Sequence, residues 1–223
     1  LFLFDVQPED TQELNTKLEN YSGKSLALSP IIRGRLLEIN DKAVIRQESQ
    51  KNLTREEEEQ SRFKFRAVSV SYKKNLSSFE RMLEGTELPA TWDVQSDKPI
   101  PISLEYRYAK RLKVGLGDTL SFEFQGQIFK TIVANLRYVF WLSLHPNFFI
   151  LFPDGVLNDL PQTYLSVLKF KDDNLMKDFT HLMQQEFNHI SILLLKQTAA
   201  LVMKQVDLLL NAFLLISSLF LIL

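Results

Sequence analysis

The chain has 223 residues, of which 24% are charged and 45% are hydrophobic, and its formal net charge is −1. This length allows one large domain or two small ones, and the balanced charge excludes a general electrostatic attraction to nucleic acid. The sequence contains no cysteine, which excludes disulfides and cysteine-ligated metal sites.

The first forty residues are predicted to form a strand, a helix and a second strand. Leu1–Val6 is an apolar run that is typical of a strand. Leu14, Leu18 and Tyr21 recur at helical spacing and form one apolar stripe. Leu26–Asn40 then returns as a long strand, which completes a βαβ unit.

The stretch from 41 to 162 is predicted to be mostly β. In Arg62–Tyr72 the apolar residues alternate, but the phase of the alternation changes near Val68. A change of phase moves side chains to the other face of a sheet, so we expect a β-bulge or a sharp bend there. Ser103–Leu112 is expected to be a short helix, and two alternating runs joined at Gln125-Gly126 predict a β-hairpin.

A second strand–helix–strand pattern follows this stretch. Thr163–Phe170 predicts a strand, Asp172 or Asp173 is suited to cap a helix, and His189–Leu195 predicts a buried strand. The intervening helix places its apolar residues on one face; they are Leu175, Phe179, Leu182, Met183 and Phe187.

Two βαβ units of similar length can pair as a split, ferredoxin-like arrangement. The predicted fold class is therefore α+β. Residues 1–40 and 163–196 are expected to form the split βαβ unit, and 41–162 are expected to form a β-rich subdomain inserted into it.

The end of the chain predicts an attachment to a membrane. Leu208–Leu223 carries no charged residue, and a transmembrane helix needs about 20 apolar residues. The helical spacing before it indicates that 197–223 form a stalk that continues into a membrane helix. Everything ahead of the stalk has the composition of an extramembranous domain.

The motifs of several enzyme classes are missing from the sequence. It has no phosphate-binding Gly-x-x-x-x-Gly-Lys-Ser/Thr motif and no Gly-x-Ser-x-Gly elbow. Its histidines, His145, His181 and His189, lack the spacing of a metal site and are expected to lie at the surface or to form local hydrogen bonds. The chain is therefore expected not to be an enzyme and to need no cofactor.

Two groups of residues are candidates for contacts with other molecules. Arg33 and Arg35 point to the same face of an alternating strand, where they could hold a carboxylate or a lipid phosphate. The alternative is a structural salt bridge to an acidic neighbour. The run from Phe148 to Phe152 favours burial in the core, but any exposed part would suit a hydrophobic cargo or a partner.

A set of motifs runs in order over about 120 residues of the chain. They are SPIIRGRL (29–36), VSY (70–72), Leu76, Glu80, Gly85, SLE (103–105), AKRL (109–112), VGLGDTL (114–120), Gly126, Arg137, Trp141, PNFF (146–149), Phe152, Pro153 and Gly155. Together they resemble the periplasmic region of the FtsX-like, or MacB-like, ABC transporter permeases, and the most specific part of the match is the Pro-Asn-Phe-Phe stretch that follows Arg137 and Trp141.

The resemblance implies a porter-like α/β subdomain with an inserted Sabre-like β subdomain. It also implies a bacterial inner-membrane permease, with residues 1–196 in the periplasm, that works with a cytoplasmic ABC ATPase subunit. Such permeases resemble mechanical transmitters, and one branch is associated with extrusion of hydrophobic compounds and with a periplasmic thioesterase.

The sequence departs from the family at Trp141, which is flanked by Phe140 and Leu142 where acidic positions are usual. The residues expected to contact a cargo, membrane lipid or a partner are Arg33, Arg35, Trp141, Phe148, Phe149 and Phe152.

Two other classes of function compete with a transporter. The first is a membrane-tethered regulatory or binding domain that controls a periplasmic hydrolase without moving cargo. Such a domain needs a polar-rimmed interface, whereas a transporter needs a continuous apolar surface or a lateral opening near the membrane. The second, a membrane-anchored hydrolase, is disfavoured because the nucleophile motif is missing.

Overall fold

The computed structural model describes residues 1–22, 27–44, 54–93, 98–143 and 145–194, together with 205 and 207. The chain divides into two compact units, one made of Leu1–Ala27 with the residues from Ser166 onward, and the other of Leu28–Leu165. The boundaries predicted from the sequence, by contrast, grouped the whole strand that ends at Asn40 with the first unit.

The described residues form a mixed α/β structure that is rich in strands. In chain order the elements are β1 (Phe2–Val6), α1 (Thr11–Ser22), β2 (Leu28–Ile39), β3 (Lys42–Ala43), α2 (Arg55–Phe65), β4 (Val68–Tyr72), β5 (Glu80–Gly85), β6 (Ile100–Glu105), α3 (Tyr106–Leu112), β7 (Thr119–Phe124), β8 (Gln127–Val139), β9 (Ile150–Phe152), β10 (Thr163–Val167), α4 (Asp173–Glu186) and β11 (Ser191–Leu193).

In the first unit, the strands lie in the order β11-β1-β10. β11 pairs antiparallel with β1, and the amide of Leu168, just after β10, donates to the carbonyl of Leu1 at 2.9 Å. The predicted helices are both present. Leu14 and Leu18 of α1, and Phe179 and Met183 of α4, are buried, which confirms the main part of the apolar stripes read from their spacing. Leu175, the first residue of the predicted α4 stripe, is 38% exposed and does not belong to the buried face.

Two predictions for the first unit are refined by the structure. Asp172 is the N-cap of α4, and its carboxylate accepts from the amide of Asn174 at 2.9 Å. The strand predicted at His189–Leu195 is present only as β11, its predicted burial was wrong, and Leu195 lies outside the described residues. β11 has three residues, of which Ser191 and Leu193 are exposed, because it pairs with β1 at the edge of the described strand order.

In the second unit, the strand pairings close a ring. β2 pairs with β4 and β7, β7 with β8, β8 with β6, β6 with β9, and β9 with β4. β5 pairs antiparallel with the second half of β8, Asn135–Val139. The interior of the ring holds large apolar side chains, among them Phe122, Phe124 and Phe152, each 0% exposed.

The hairpin predicted at Gln125-Gly126 is confirmed by the antiparallel pairing of β7 with β8. Gln125 and Gly126 have φ of 50° and 82°. Positive φ at both central residues is the geometry of the two-residue turns that match the twist of a hairpin.

The single strand predicted over Arg62–Tyr72 was wrong. Residues up to Phe65 belong to α2, and the strand begins only at Val68. The helix is set by residues upstream of the alternating stretch, since Thr54 and Glu57 form a reciprocal capping box. The change of phase therefore marks a helix-to-strand junction and not a bulge.

The helix predicted over Ser103–Leu112 is shorter than expected. Its first three residues complete β6, and α3 begins at Tyr106 after Glu105 has capped it. Among the described residues, no helix is both long and apolar enough to cross a bilayer. The predicted stalk and membrane helix, 197–223, lie outside the described residues apart from Gln205 and Asp207, and they stay predictions.

Candidate functional site

A cluster of exposed apolar side chains lies where the chain leaves β8 and turns back toward β9. Phe140, Trp141, Leu142 and Phe149 are 48%, 39%, 81% and 42% exposed. We call these four side chains the aromatic loop surface. Large apolar side chains that cluster at a surface mark contact sites more often than single ones do.

The aromatic loop surface is stacked onto the core. The Trp141 and Phe149 ring centroids are 4.7 Å apart, and Phe149 stacks on Tyr108 of α3 at 5.0 Å with the two ring planes at 20°. Tyr108 is buried, and burial raises its pKa to about 12. Two of the exposed rings, those of Trp141 and Phe149, are therefore held on a buried ring and not on a freely rotating side chain.

Three exposed basic residues lie on α3, the helix that carries Tyr108. Arg107, Lys110 and Arg111 are exposed, and the guanidinium carbon of Arg111 lies 3.8 Å from the ring centroid of Phe63. The Phe63 ring is in turn 5.5 Å from that of Tyr108. Arg111 is therefore connected to the aromatic loop surface through the rings of Phe63 and Tyr108.

A buried charged network lies behind the loop. The side chains of Arg137 and Glu80 are both 0% exposed, and Arg137 Nε is 3.2 Å from Glu80 Oε1. The guanidinium also donates to the carbonyl of Ser103 at 2.7 Å and to the carbonyl of Phe148. Glu80 further pairs with Lys73.

This network fixes the base of the aromatic loop. Arg137 binds the carbonyl of Phe148, and the amide of Glu105 donates to the carbonyl of Phe149 at 2.8 Å. At the other end of the loop, the amide of Phe140 donates to the carbonyl of Phe79 at 2.9 Å. Both ends are therefore bonded to neighbouring elements, which presents the exposed rings in a defined geometry.

The ionisation of Glu80 is set by competing effects. Burial raises its pKa, but the hydrogen bond and charge of Lys73, the Ser77 amide at 3.0 Å and the charge of Arg137 together lower the pKa below the ordinary 4.5. Burial lowers the pKa of Arg137 and of Lys73, which the carboxylate of Glu80 opposes. The network is held together by the ionised form of Glu80.

The folded protein should therefore lose stability in acid through Glu80. A carboxylate with a lowered folded-state pKa contributes stability above its unfolded pKa, and this contribution is lost as the pH falls through the folded value. We expect Glu80→Gln to be less stable than the wild type at neutral pH and to show a smaller further loss below about pH 4.5.

The measurement is the urea midpoint of unfolding, followed by circular dichroism at a series of pH values. Glu84→Gln is the matched control, since Glu84 lies exposed on the same strand. If both variants keep the same acid dependence as the wild type, Glu80 does not provide it.

The structure separates the residues predicted from the apolar run. Phe149 is exposed beside Trp141, whereas Phe148 is 8% exposed and Phe152 is 0% exposed. The prediction that Phe148 and Phe152 contact a cargo or partner is corrected by their burial in the core of the second unit. Phe152 packs edge-on against Phe122 and Phe124.

The predicted arginines lie on β2 and not on the aromatic loop. Arg33 and Arg35 share the exposed face, as their alternation predicted. Arg35 forms an ion pair with Glu123 at 2.5 Å, which agrees with the alternative that the arginine forms a structural salt bridge to an acidic neighbour. Gly34 between them is needed for packing, because a Cβ there would lie 2.2 Å from the ring of Phe124.

Sequence reasoning missed part of the site. Phe140 and Leu142 were noted as neighbours of Trp141 but not assigned to it, although their apolar character was the available signal. Glu80 and Arg137 are 57 residues apart in sequence, so no short-range spacing could predict their pairing.

One histidine forms a local contact, and the other two contact residues that are distant in the sequence. His145 stacks on Phe79 with ring centroids 4.1 Å apart, His181 lies 3.1 Å from Gln185, and His189 lies 2.6 Å from Asp10. In the described part of the chain, no group of three or more His, Asp or Glu side chains is arranged to hold a metal ion.

Comparison with known proteins gives one curated relative. Over 192 residues, 86% of this chain, the sequence is 31% identical to an uncharacterized ABC transporter permease, YbbP, of Escherichia coli (strain K12). The matched stretch is 21% of that protein, so the chain spans about a fifth of the relative's length. No protein-family model matches the chain.

Proposed function

We propose, from the premise that this chain belongs to the ABC transporter permease family, that it is the periplasmic domain of an inner-membrane permease. A cytoplasmic ATPase subunit would supply the energy, and movement of the stalk and membrane helix at 197–223 would transmit it mechanically. The moved compound would be hydrophobic or lipid-like. The observation that carries this proposal is the 31% identity to a permease over 192 residues. As a permease-family chain it is not an enzyme, as predicted.

The first unit supports the porter-like part of this proposal. In a split βαβ unit, the first strand lies between the third and the fourth, which is the place of β1 between β10 and β11. The hydroxyl of Ser166 in β10 donates to the carbonyl of Ala27 at 2.9 Å. The chain that leads toward β2 therefore runs beside β10, where the remaining strand of such a unit belongs.

In our proposal, the aromatic loop surface is where the second unit contacts a cargo or a partner. Tryptophan and other large rings dominate the energy of binding when they enter a partner's pocket. Rings held in one geometry lose less conformational entropy on binding than mobile ones. The buried Arg137 network supplies this pre-organisation.

The exposed basic residues of α3, the helix whose Tyr108 stacks on Phe149, favour a second candidate function. A domain that regulates a periplasmic hydrolase, such as a thioesterase, needs an apolar anchor surrounded by polar groups. Trp141 and Leu142 would be the anchor, and Arg107 and Lys110 of α3 would be part of the rim. In this alternative the permease binds the hydrolase without moving cargo.

Leu142→Glu tests whether the aromatic loop surface is used. Leu142 is 81% exposed, so the change should leave folding intact, but it places a charge at the centre of an apolar contact. We expect the full-length permease, expressed with its ATPase, to lose most of its ability to lower Nile red accumulation in energised cells.

The control is Leu116→Glu, an equally large change at a 45% exposed leucine in the turn before β7. Dye accumulation that responds equally to both substitutions, or to neither, would reject the aromatic loop surface as the contact. Dye export that is absent in the wild type, with a hydrolase bound through Leu142, would favour the regulator.

A further inference from the structure

A cavity of about 440 Å³ lies beside the buried charged network, between β4, the outer strand β5 and the segment that follows it. This volume is within the roughly 300 to 1,000 Å³ of small-molecule sites. Three kinds of wall enclose it: two lysines, one buried amide and a set of aliphatic side chains. The cavity is separate from the aromatic loop surface.

The cationic wall is formed by Lys73 and Lys74. The Lys73 side chain is 27% exposed and bonds to Glu80, while Lys74 Nζ is 3.6 Å from Asp154. An ammonium group has three N–H donors, so each lysine can also donate to a ligand. A carboxylate would suit this wall because its two oxygens can accept from both lysines.

The buried amide belongs to Asn135, which is 2% exposed and lines the same cavity. Its Nδ2 donates to the carbonyl of Thr86 at 2.7 Å. Its Oδ1 is buried and has no hydrogen-bond partner among the residues that the structure describes. A buried acceptor without a donor lowers the stability of the fold, so an N–H or O–H group of a ligand that donates to this oxygen would be stabilised.

The aliphatic wall is formed by Leu76, Met82 and Leu88. Glu87 lies on the same side and is exposed, which disfavours a ligand that is only anionic. The cavity therefore joins a site for a carboxylate, acceptors for a neighbouring N–H group and a surface for an aliphatic chain. These three features occur together in one chemical unit, the aliphatic amino acid.

We infer that this cavity binds an aliphatic amino acid by its carboxylate, with its N–H group donating to Asn135 and its side chain lying against Leu76, Met82 and Leu88. The same unit occurs as a free amino acid and as the carboxy-terminal residue of a peptide. A fatty acid would satisfy the lysines and the aliphatic wall but would leave Asn135 Oδ1 without a donor.

The test is a ligand-observed NMR titration of the full chain in deuterated detergent micelles. The probes are L-leucine and acetyl-alanyl-leucine. Two matched compounds each lack one recognised group: 4-methylpentanoate has no N–H, and acetyl-alanyl-leucinamide has no carboxylate. Saturable binding of at least one probe is expected, with binding about tenfold weaker for the compound that lacks the N–H and for the one that lacks the carboxylate.

Two variants locate the binding. Lys74→Gln removes a cation whose side chain is 67% exposed, so folding should be retained, and affinity should fall about tenfold. Lys130→Gln, at an exposed lysine on β8 outside the cavity lining, should leave the affinity unchanged.

Each outcome of the titration either identifies the source of the ligand or overturns the inference. Binding of L-leucine alone identifies a free amino acid as the source, and binding of acetyl-alanyl-leucine alone identifies a peptide terminus. Three results overturn the inference: no saturable binding of either probe, equal affinity for 4-methylpentanoate, or no difference between Lys74→Gln and Lys130→Gln.

Discussion

Replacing Arg137 with methionine is expected to destabilise the second unit by about 3 to 5 kcal/mol, the loss typical of breaking a buried ion pair by removing one partner. The substitution leaves Glu80 as a buried carboxylate that has lost one of its two cations. It also leaves the carbonyls of Ser103 and Phe148 without the guanidinium donor. Methionine has a similar length, so the loss reports on charge and hydrogen bonds more than on volume.

The second unit contains a matched control for this experiment. Arg35 and Glu123 form another arginine–glutamate pair, but the Arg35 side chain is 58% exposed. Exposed pairs contribute little to stability, so Arg35→Met should lie near the limit of measurement. Both losses can be read from urea unfolding followed by circular dichroism. Equal losses in the two variants would contradict a structural role of the buried network.

Arg137→Lys separates charge from geometry. Lysine keeps the positive charge but cannot bond Glu80, Ser103 and Phe148 with a planar fork of donors. We expect a stability between those of the wild type and Arg137→Met. We also expect altered fluorescence of Trp141, because the base of the aromatic loop is no longer held at Phe148.

The second large effect is expected for Phe152→Ala. Removing a fully buried phenylalanine costs about 3 to 5 kcal/mol, since the lost transfer energy adds to the cavity that remains. Phe152 is 0% exposed and contacts Phe122 and Phe124 through edge-on ring packing. The β strands around it are paired on both sides, which limits how far the site can collapse.

Phe149→Ala is the comparison within the same apolar run. Phe149 is 42% exposed and loses mainly its stacking with Trp141 and Tyr108. The free energy of unfolding should fall by about 1 kcal/mol. Any contact of Phe149 with a partner or cargo should be lost. A larger loss of stability for Phe149→Ala than for Phe152→Ala would mean that the assignment of core and surface is reversed.

The position of the candidate site could be predicted in part. Trp141 and Phe149 were found from the family motif and from the most apolar run outside the tail, and both are exposed. Phe152 could not be separated from them, because it lies on β9, which is buried on both faces and shows no alternation. Phe148 precedes β9, and it could not be separated because its burial depends on distant segments, such as the one that carries Arg137. Its three residues, Ile150, Leu151 and Phe152, are all buried between β4 on one side and β6 on the other.

Local signals were reliable where the relevant partners are close in sequence. The stripe of Leu14 and Leu18, the cap of α4 at Asp172 and the turn at Gln125-Gly126 all depend on neighbours within a few residues. The stretch Arg62–Phe65 was assigned wrongly because the signal that decides it, the capping box at Thr54 and Glu57, lies outside the alternating window.

The sequence by itself therefore determined the elements whose energy is local: helical stripes, caps and tight turns, together with the resemblance to a permease family. The tertiary structure alone decided which strands close the ring of the second unit, that Glu80 pairs with Arg137, and which phenylalanines are covered. The reason is physical. Burial and the pairing of charges depend on the groups that distant segments bring together, and no spacing along the chain encodes those distances.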